Sequence, residues 1–104
     1  MERHHRPWSR EELLQAIHLY AQLPFGKMHY RNPQVMALAE MLDRSPGSVA
    51  FKLVNFASLD DQITGSGRKG ASHASKLDRE VWQYYREHWA MCLEEAQRLL
   101  DASA

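Results

Sequence analysis

Twice in the middle of the chain a short polar side chain is followed at once by proline, at Asn32-Pro33 and again at Ser45-Pro46. Asparagine and serine can accept one of the orphan N–H groups at a helix start, and proline at the first helical position has no N–H to leave unpaired. Each pair therefore predicts the beginning of a helix. Val35, Leu38, Ala39 and Leu42 follow the first signal at i, i+3, i+4 and i+7, and Val49, Leu53 and Phe56 follow the second. Both sets are apolar stripes of helical period. Only the polar turn Asp43-Arg44 separates them, so residues 32–59 are expected to fold as two short helices about a tight corner, the helix-turn-helix arrangement.

In that arrangement the second helix can lie in a DNA major groove while the first braces it across the backbone. Opposite its apolar stripe the second helix carries Ser48, Lys52 and Asn55 at i, i+4 and i+7, with Ser45, Gly47 and Phe51 beside them. Lysine contacts phosphate or guanine, asparagine pairs with adenine, and small residues let the backbone come close. Arg44 in the turn adds a charge. The same pattern also suits an all-helical domain whose polar residues are simply solvated.

The 104 residues have room for one domain with one modest core, spanning 1–104. A hydrophobic content of 44% with 25% charged residues is that of a folded domain. Formal net charge is zero, which counts against a nonspecific nucleic-acid coat protein. The distribution is uneven, however, with cations spread through residues 3–76 and the acids Glu87, Glu94, Glu95 and Asp101 gathered near the end. No apolar run reaches membrane-spanning length and MERHHRPWSR lacks the apolar middle of a signal peptide, so a cytoplasmic location is expected. The single Cys92 sits in a helical apolar pattern and is expected to be a buried thiol. The adjacent His4 and His5 lack further ligands at useful spacing, and no acid–base pair or nucleophile stands out. The expectation is no metal, no cofactor and no catalysis.

Ser9 and Glu12 have the spacing of a capping box, with Trp8 and Leu13 at the positions of a hydrophobic staple. They predict a first helix with Leu13, Ile17 and Tyr20 inward, ended before Pro24. The connection over residues 23–31 is long for a helical bundle. It mixes Phe25 and Tyr30 with Lys27, His29 and Arg31, as a surface that grips phosphate and stacks on bases does. Phe25 is assigned to the core, Lys27 and Arg31 to phosphate. Residues 62–75 are expected to be a Gly/Ser-rich basic loop, without a sizeable apolar side chain from Gly65 to Ser75, in which Arg68, Lys69 and Ser72 are candidate DNA contacts; a plain flexible linker explains it equally well. Ser75 and Asp78 open a last helix to about residue 100, with Lys76 as a further DNA candidate. Its stripe of Trp82, Tyr85, Trp89, Cys92, Ala96 and Leu99 is expected to pack on the first three helices, the alternative being a dimerisation seam.

Four blocks in order, WSREELLQAIHLY, LPFGKMHYRNP, RSPGSVAFKLVNFASLD and GRKGASHASKLDREVW, resemble the N-terminal region of bacterial HNH restriction endonucleases, from Trp8 to about Trp89. In that family the nuclease motif lies further toward the C-terminus, and no His-Asn-His constellation occurs here, His73 and His88 being isolated. The resemblance thus implies a non-catalytic targeting module joined to a C-terminal HNH nuclease domain. Similar architectures among modification-dependent enzymes imply double-stranded DNA carrying modified cytosine as the partner. A flipped base needs an aromatic wall, for which Tyr30, Phe51 and Trp8 are the candidates. Trp8 at the start of a trihelical unit is also similar to a Myb or SANT repeat, whose other tryptophans are missing.

The expected architecture is all-α, a helix-turn-helix-like trihelical core plus a long C-terminal helix. The expected function is a double-stranded DNA-binding specificity module of an HNH-type endonuclease. A helical protein–protein interaction or homodimerisation module is the alternative.

Overall fold

The computed structural model describes residues 6–61 and 74–103. Their only regular secondary structure is helical, with no strand among them: α1 (Arg10–Tyr20), a 3₁₀ turn (Phe25–Lys27), α2 (Pro33–Leu42), α3 (Pro46–Leu59), α4 (Lys76–Glu87) and α5 (Trp89–Ser103). All four predicted helix starts form as the cap chemistry requires. Ser9 Oγ accepts from the Glu12 amide at 3.2 Å while the Glu12 carboxylate accepts from the Ser9 amide at 3.0 Å. Ser75 and Asp78 make the same reciprocal pair at 3.0 and 2.9 Å. Asn32 Oδ1 accepts from the Gln34 and Val35 amides, and Ser45 Oγ from the Ser48 amide. Each such cap typically stabilises its helix by about 1 kcal/mol.

Between α2 and α3 the chain reverses at Asp43, whose φ of 56° lies in the left-handed region. Aspartate enters that region more readily than most residues. The Arg44 amide then donates back to the Ala39 carbonyl at 2.9 Å, closing the end of α2.

Helix α1 is the centre of the packing, with Leu13, Leu14 and Ile17 inaccessible to solvent. Around it close Val35 and Leu38 of α2, Val49, Leu53 and Phe56 of α3, Val81 and Trp82 of α4, and Cys92 and Ala96 of α5. Tyr20 sets its ring edge-on to Trp82 at 5.4 Å between centroids, and Phe56 stacks on the same indole at 6.1 Å. These rings join α1, α3 and α4 in one apolar contact, and truncating Phe56 to alanine is expected to cost about 3–5 kcal/mol.

The single long C-terminal helix expected from the sequence is two helices. The chain breaks at His88, with φ −139° and ψ 53°, and α5 starts afresh. The break lets α4 pack on both α1 and α3 while α5 packs chiefly on α1. It also shifts the phase of the apolar stripe: Cys92 and Ala96 are fully buried, but Trp89 is 64% exposed where an unbroken stripe would bury it. Glu95 braces the corner, accepting from Arg10 at 2.7 Å and from the Tyr84 hydroxyl at 3.1 Å. No helix among the described residues is long and apolar enough to cross a membrane.

Candidate nucleic-acid interface

The residues expected to meet DNA separate into two groups, those the fold consumes and those it leaves outside. Arg44 belongs to the first group and is 7% exposed. Its Nε and Nη2 donate to the two Glu12 carboxylate oxygens at 3.0 and 2.9 Å. Nη1 donates to the Arg6 carbonyl and Nη2 to the Pro7 carbonyl, each at 2.9 Å, and Cζ lies 4.4 Å from the centre of the Trp8 ring. A planar guanidinium fits this fork-to-fork pairing and aromatic stacking together, and so engaged it is not a phosphate contact. The sequence gives a turn cation no sign that the segment preceding α1 will fold back over it. Arg6 reaches across in return, donating to the Leu42 and Asp43 carbonyls at the negative end of α2. Burial pushes the Glu12 carboxyl up, but the hydrogen bonds from Arg44 and the Ser9 amide, with the charges of Arg44 and Arg6, hold it below the usual value.

Lys52 and Asn55 require the larger correction, because the face expected to read bases is interior. Lys52 Nζ donates to both oxygens of the fully buried Asp78 at 3.1 Å and stands 5.5 Å from the Trp8 ring centre. Asn55 is 1% exposed, and neither its amide nitrogen nor its oxygen has a hydrogen-bond partner. The cause is α4, which lies against this side of α3 through the Lys52–Asp78 pair and the Phe56–Trp82 stack. What α3 shows to solvent is instead the row Gly47, Phe51, Val54 and Ser58, exposed or half-buried. Because one residue turns a helix by roughly 100°, that row lies about a quarter-turn from Ser48, Lys52 and Asn55.

Left outside are Ser45, a half-buried Ser48, and Phe51, which is 48% exposed. A Cβ built on Gly47 would meet nothing within 4 Å, so packing does not require glycine there. Before α2, Lys27, His29, Tyr30 and Arg31 are all exposed, while Met28 between them is buried and Phe25 packs on the core as expected. The Asn32 amide donates to the Lys27 carbonyl at 3.1 Å and the Asn32 N–H to the His29 carbonyl at 3.1 Å, so the loop is pinned. Arg31 lies over the Tyr30 ring at 5.6 Å. Lys76 is exposed in the first turn of α4, and so is Arg79, which the sequence reading passed over although it stands three residues on from Lys76.

Among the described residues, Arg6, Arg10, Arg44, Lys52, Arg86 and Arg98 each pair with a carboxylate. Lys27, Arg31, Lys76 and Arg79 make no such pair. The ten residues of α2 set the Lys27–Arg31 loop some distance from the start of α3. At the helical rise this is about 15 Å, comparable to the roughly 12 Å width of the DNA major groove. The surface between is a shallow trough lined by Pro33, Met36, Ala37, Glu40 and Pro46. The candidates Arg68, Lys69 and Ser72 lie outside the described residues.

No group of three or more His, Cys, Asp or Glu among the described residues is arranged to hold a metal ion. Burial raises the Cys92 thiol to about 11, which keeps it protonated at neutral pH. Comparison of the chain with family models, with characterised proteins and with solved structures finds no match.

Proposed function

We propose that the chain is a double-stranded DNA-binding module, the non-catalytic targeting part of an HNH-type restriction endonuclease. The observation that supports it best is the division of the cations: six pair with carboxylates, Arg6 and Arg44 sharing Glu12, while Lys27, Arg31, Lys76 and Arg79 stay exposed without a carboxylate partner. In this reading the two helices α2 and α3 act as a helix-turn-helix, and the first turns of α3, with Ser45, Gly47, Ser48 and Phe51, approach the major groove. Lys27 and Arg31 grip a phosphate on one side, and Lys76 and Arg79 extend the contact from α4. Tyr30, beneath Arg31, and Phe51 are the more exposed aromatic side chains and hence the candidates for a modified cytosine, Trp8 being half-buried beneath Arg44 and Lys52.

The test is fluorescence anisotropy with matched duplexes, unmodified, methylated and hydroxymethylated at cytosine, over a salt series. Four phosphate contacts predict affinity falling with a log–log slope of about −3 to −4. Absence of binding to every duplex at the lowest salt would overturn the proposal, and equal affinity for the three would remove modified cytosine from it.

A protein-interaction or homodimerisation module is the second reading, favoured by the exposure of Trp89, 64%, at the start of α5. Analytical ultracentrifugation decides it: self-association abolished by Trp89→Ala supports it, and a monomer at all concentrations removes the homodimer.

A further inference from the structure

The carboxylate of Asp78 serves two helices at once. It closes the capping box of α4, accepting from the Ser75 amide at 2.9 Å, and both of its oxygens accept from Lys52 Nζ of α3 at 3.1 Å. The Asp78 side chain is fully buried and that of Lys52 is 13% exposed, so water and salt screen the pair little. Lys52 also stands 5.5 Å from the centre of the Trp8 ring, over which Arg44 lies at 4.4 Å. The first turn of α4 is thereby fixed against α3 and against the turn that precedes α3. Ser48 lies one helical turn before Lys52 on the same side of α3. Lys76 and Arg79, both exposed, stand two residues before Asp78 and one after it. Where Asp78 docks therefore sets where these two cations lie relative to the start of α3.

We propose that Lys52 and Asp78 are positioning residues of the DNA interface, which hold Lys76 and Arg79 at the distance from the first turn of α3 that a duplex backbone demands. The inference rests on the DNA-binding reading of this surface. Lys52 and Asp78 together carry no net charge, so removing both leaves the charge of the chain unchanged. A salt slope counts the phosphates that a protein neutralises, and a net-neutral substitution lowers it only by moving other cations. A role in stability alone leaves the slope of the folded chain where it was.

Duplex anisotropy over a salt series compares the parent with Lys52→Met plus Asp78→Asn, with Lys76→Gln plus Arg79→Gln, and with all four substitutions together. Replacing both members of a buried ion pair is often neutral for stability, and the asparagine oxygen can still accept from the Ser75 amide. Each variant is expected to lose about two from the magnitude of the log–log slope, the four substitutions together no more than either pair. A Lys52–Asp78 pair variant with the parent's slope would overturn the proposal, and so would losses that add in the four-substitution chain. Asp78→Glu is the second variant should the paired one not fold. Glutamate keeps the charge and suits a capping box, but an extra methylene at a fully buried site displaces the turn, so every duplex should bind about threefold or more weakly. Affinity equal to the parent's in that variant contradicts the proposal. A parent chain that binds no duplex removes the DNA-binding reading and this inference with it; a parent that binds, with a pair variant of the same slope, removes the inference alone.

Discussion

Arg44 and Glu12 stand 32 residues apart and meet through two parallel hydrogen bonds of 3.0 and 2.9 Å, with the arginine side chain 1% exposed. The pair ties the turn before α3 to the first turn of α1, and the same guanidinium holds the backbone of residues 6 and 7. Breaking a buried pair by removing one partner leaves the other charged and dry, which typically costs roughly 3–5 kcal/mol. Glu12→Gln should therefore destabilise by about 2–3 kcal/mol, the lower figure reflecting the two carbonyls that Arg44 keeps. Denaturant titration measures it; a loss within experimental error of zero would show that the clamp does not hold the fold.

Stability should also fall in acid. The Glu12 carboxyl is held below its ordinary value of 4.5, and so is that of Glu95, chiefly by its hydrogen bond from Arg10. A group whose folded value is depressed contributes stability that is complete above the unfolded value and lost as the pH falls through the folded one. Melting temperature should accordingly decline below about pH 5, with a shallower decline in Glu12→Gln. Parallel pH profiles for the parent and this variant would contradict the assignment.

The caps were legible because they are local: Ser9, Asn32, Ser45 and Ser75 each act within three residues of themselves, and all four form. The core stripes were legible for the same reason, down to Val49, Leu53 and Phe56. What periodicity does not reveal is which second partner a helix meets. Lys52 and Asn55 read as solvent-facing because they oppose the apolar stripe, yet α4 covers that side with Asp78 placed to take the lysine. The break at His88 was equally hidden, with no proline or glycine there to announce it. Arg44 looked like a turn cation because the Trp8 that stacks on it lies 36 positions earlier.

Asn55 supplies a test in which the sign is informative. A buried amide with neither polar atom paired carries a desolvation penalty of about 1–3 kcal/mol. Asn55→Val, apolar and closer to asparagine in volume than leucine is, should stabilise the domain, seen as a higher melting temperature. Destabilisation of the same size would mean that the amide is satisfied and α3 lies differently.

Gly47 separates folding from binding. With open space where a Cβ would stand, Gly47→Ala should stabilise α3 by roughly 0.5–1 kcal/mol. If the first turn of α3 lies against DNA, the added methyl should nevertheless weaken binding. A variant both more stable and equally tight would move the interface away from this turn.

Glu40 lies on the trough between the loop cations and the start of α3 and is exposed. An acid there opposes a DNA backbone, so Glu40→Gln should raise affinity for every duplex alike. Anisotropy at one fixed salt concentration shows it; unchanged affinity would exclude this trough from the path of the phosphates.

The most direct measurement is the salt dependence of duplex binding in two double variants compared with the parent chain. Lys27→Gln with Arg31→Gln removes cations that the fold leaves exposed and unpaired, and should lower the magnitude of the log–log slope by about two while leaving the melting temperature in place. Arg86→Gln with Arg98→Gln removes cations already paired with carboxylates on the surface, and should leave the slope unchanged. A slope indifferent to Lys27 and Arg31, or one that falls only when Arg86 and Arg98 are lost, would contradict the division of charge on which the DNA-binding account rests.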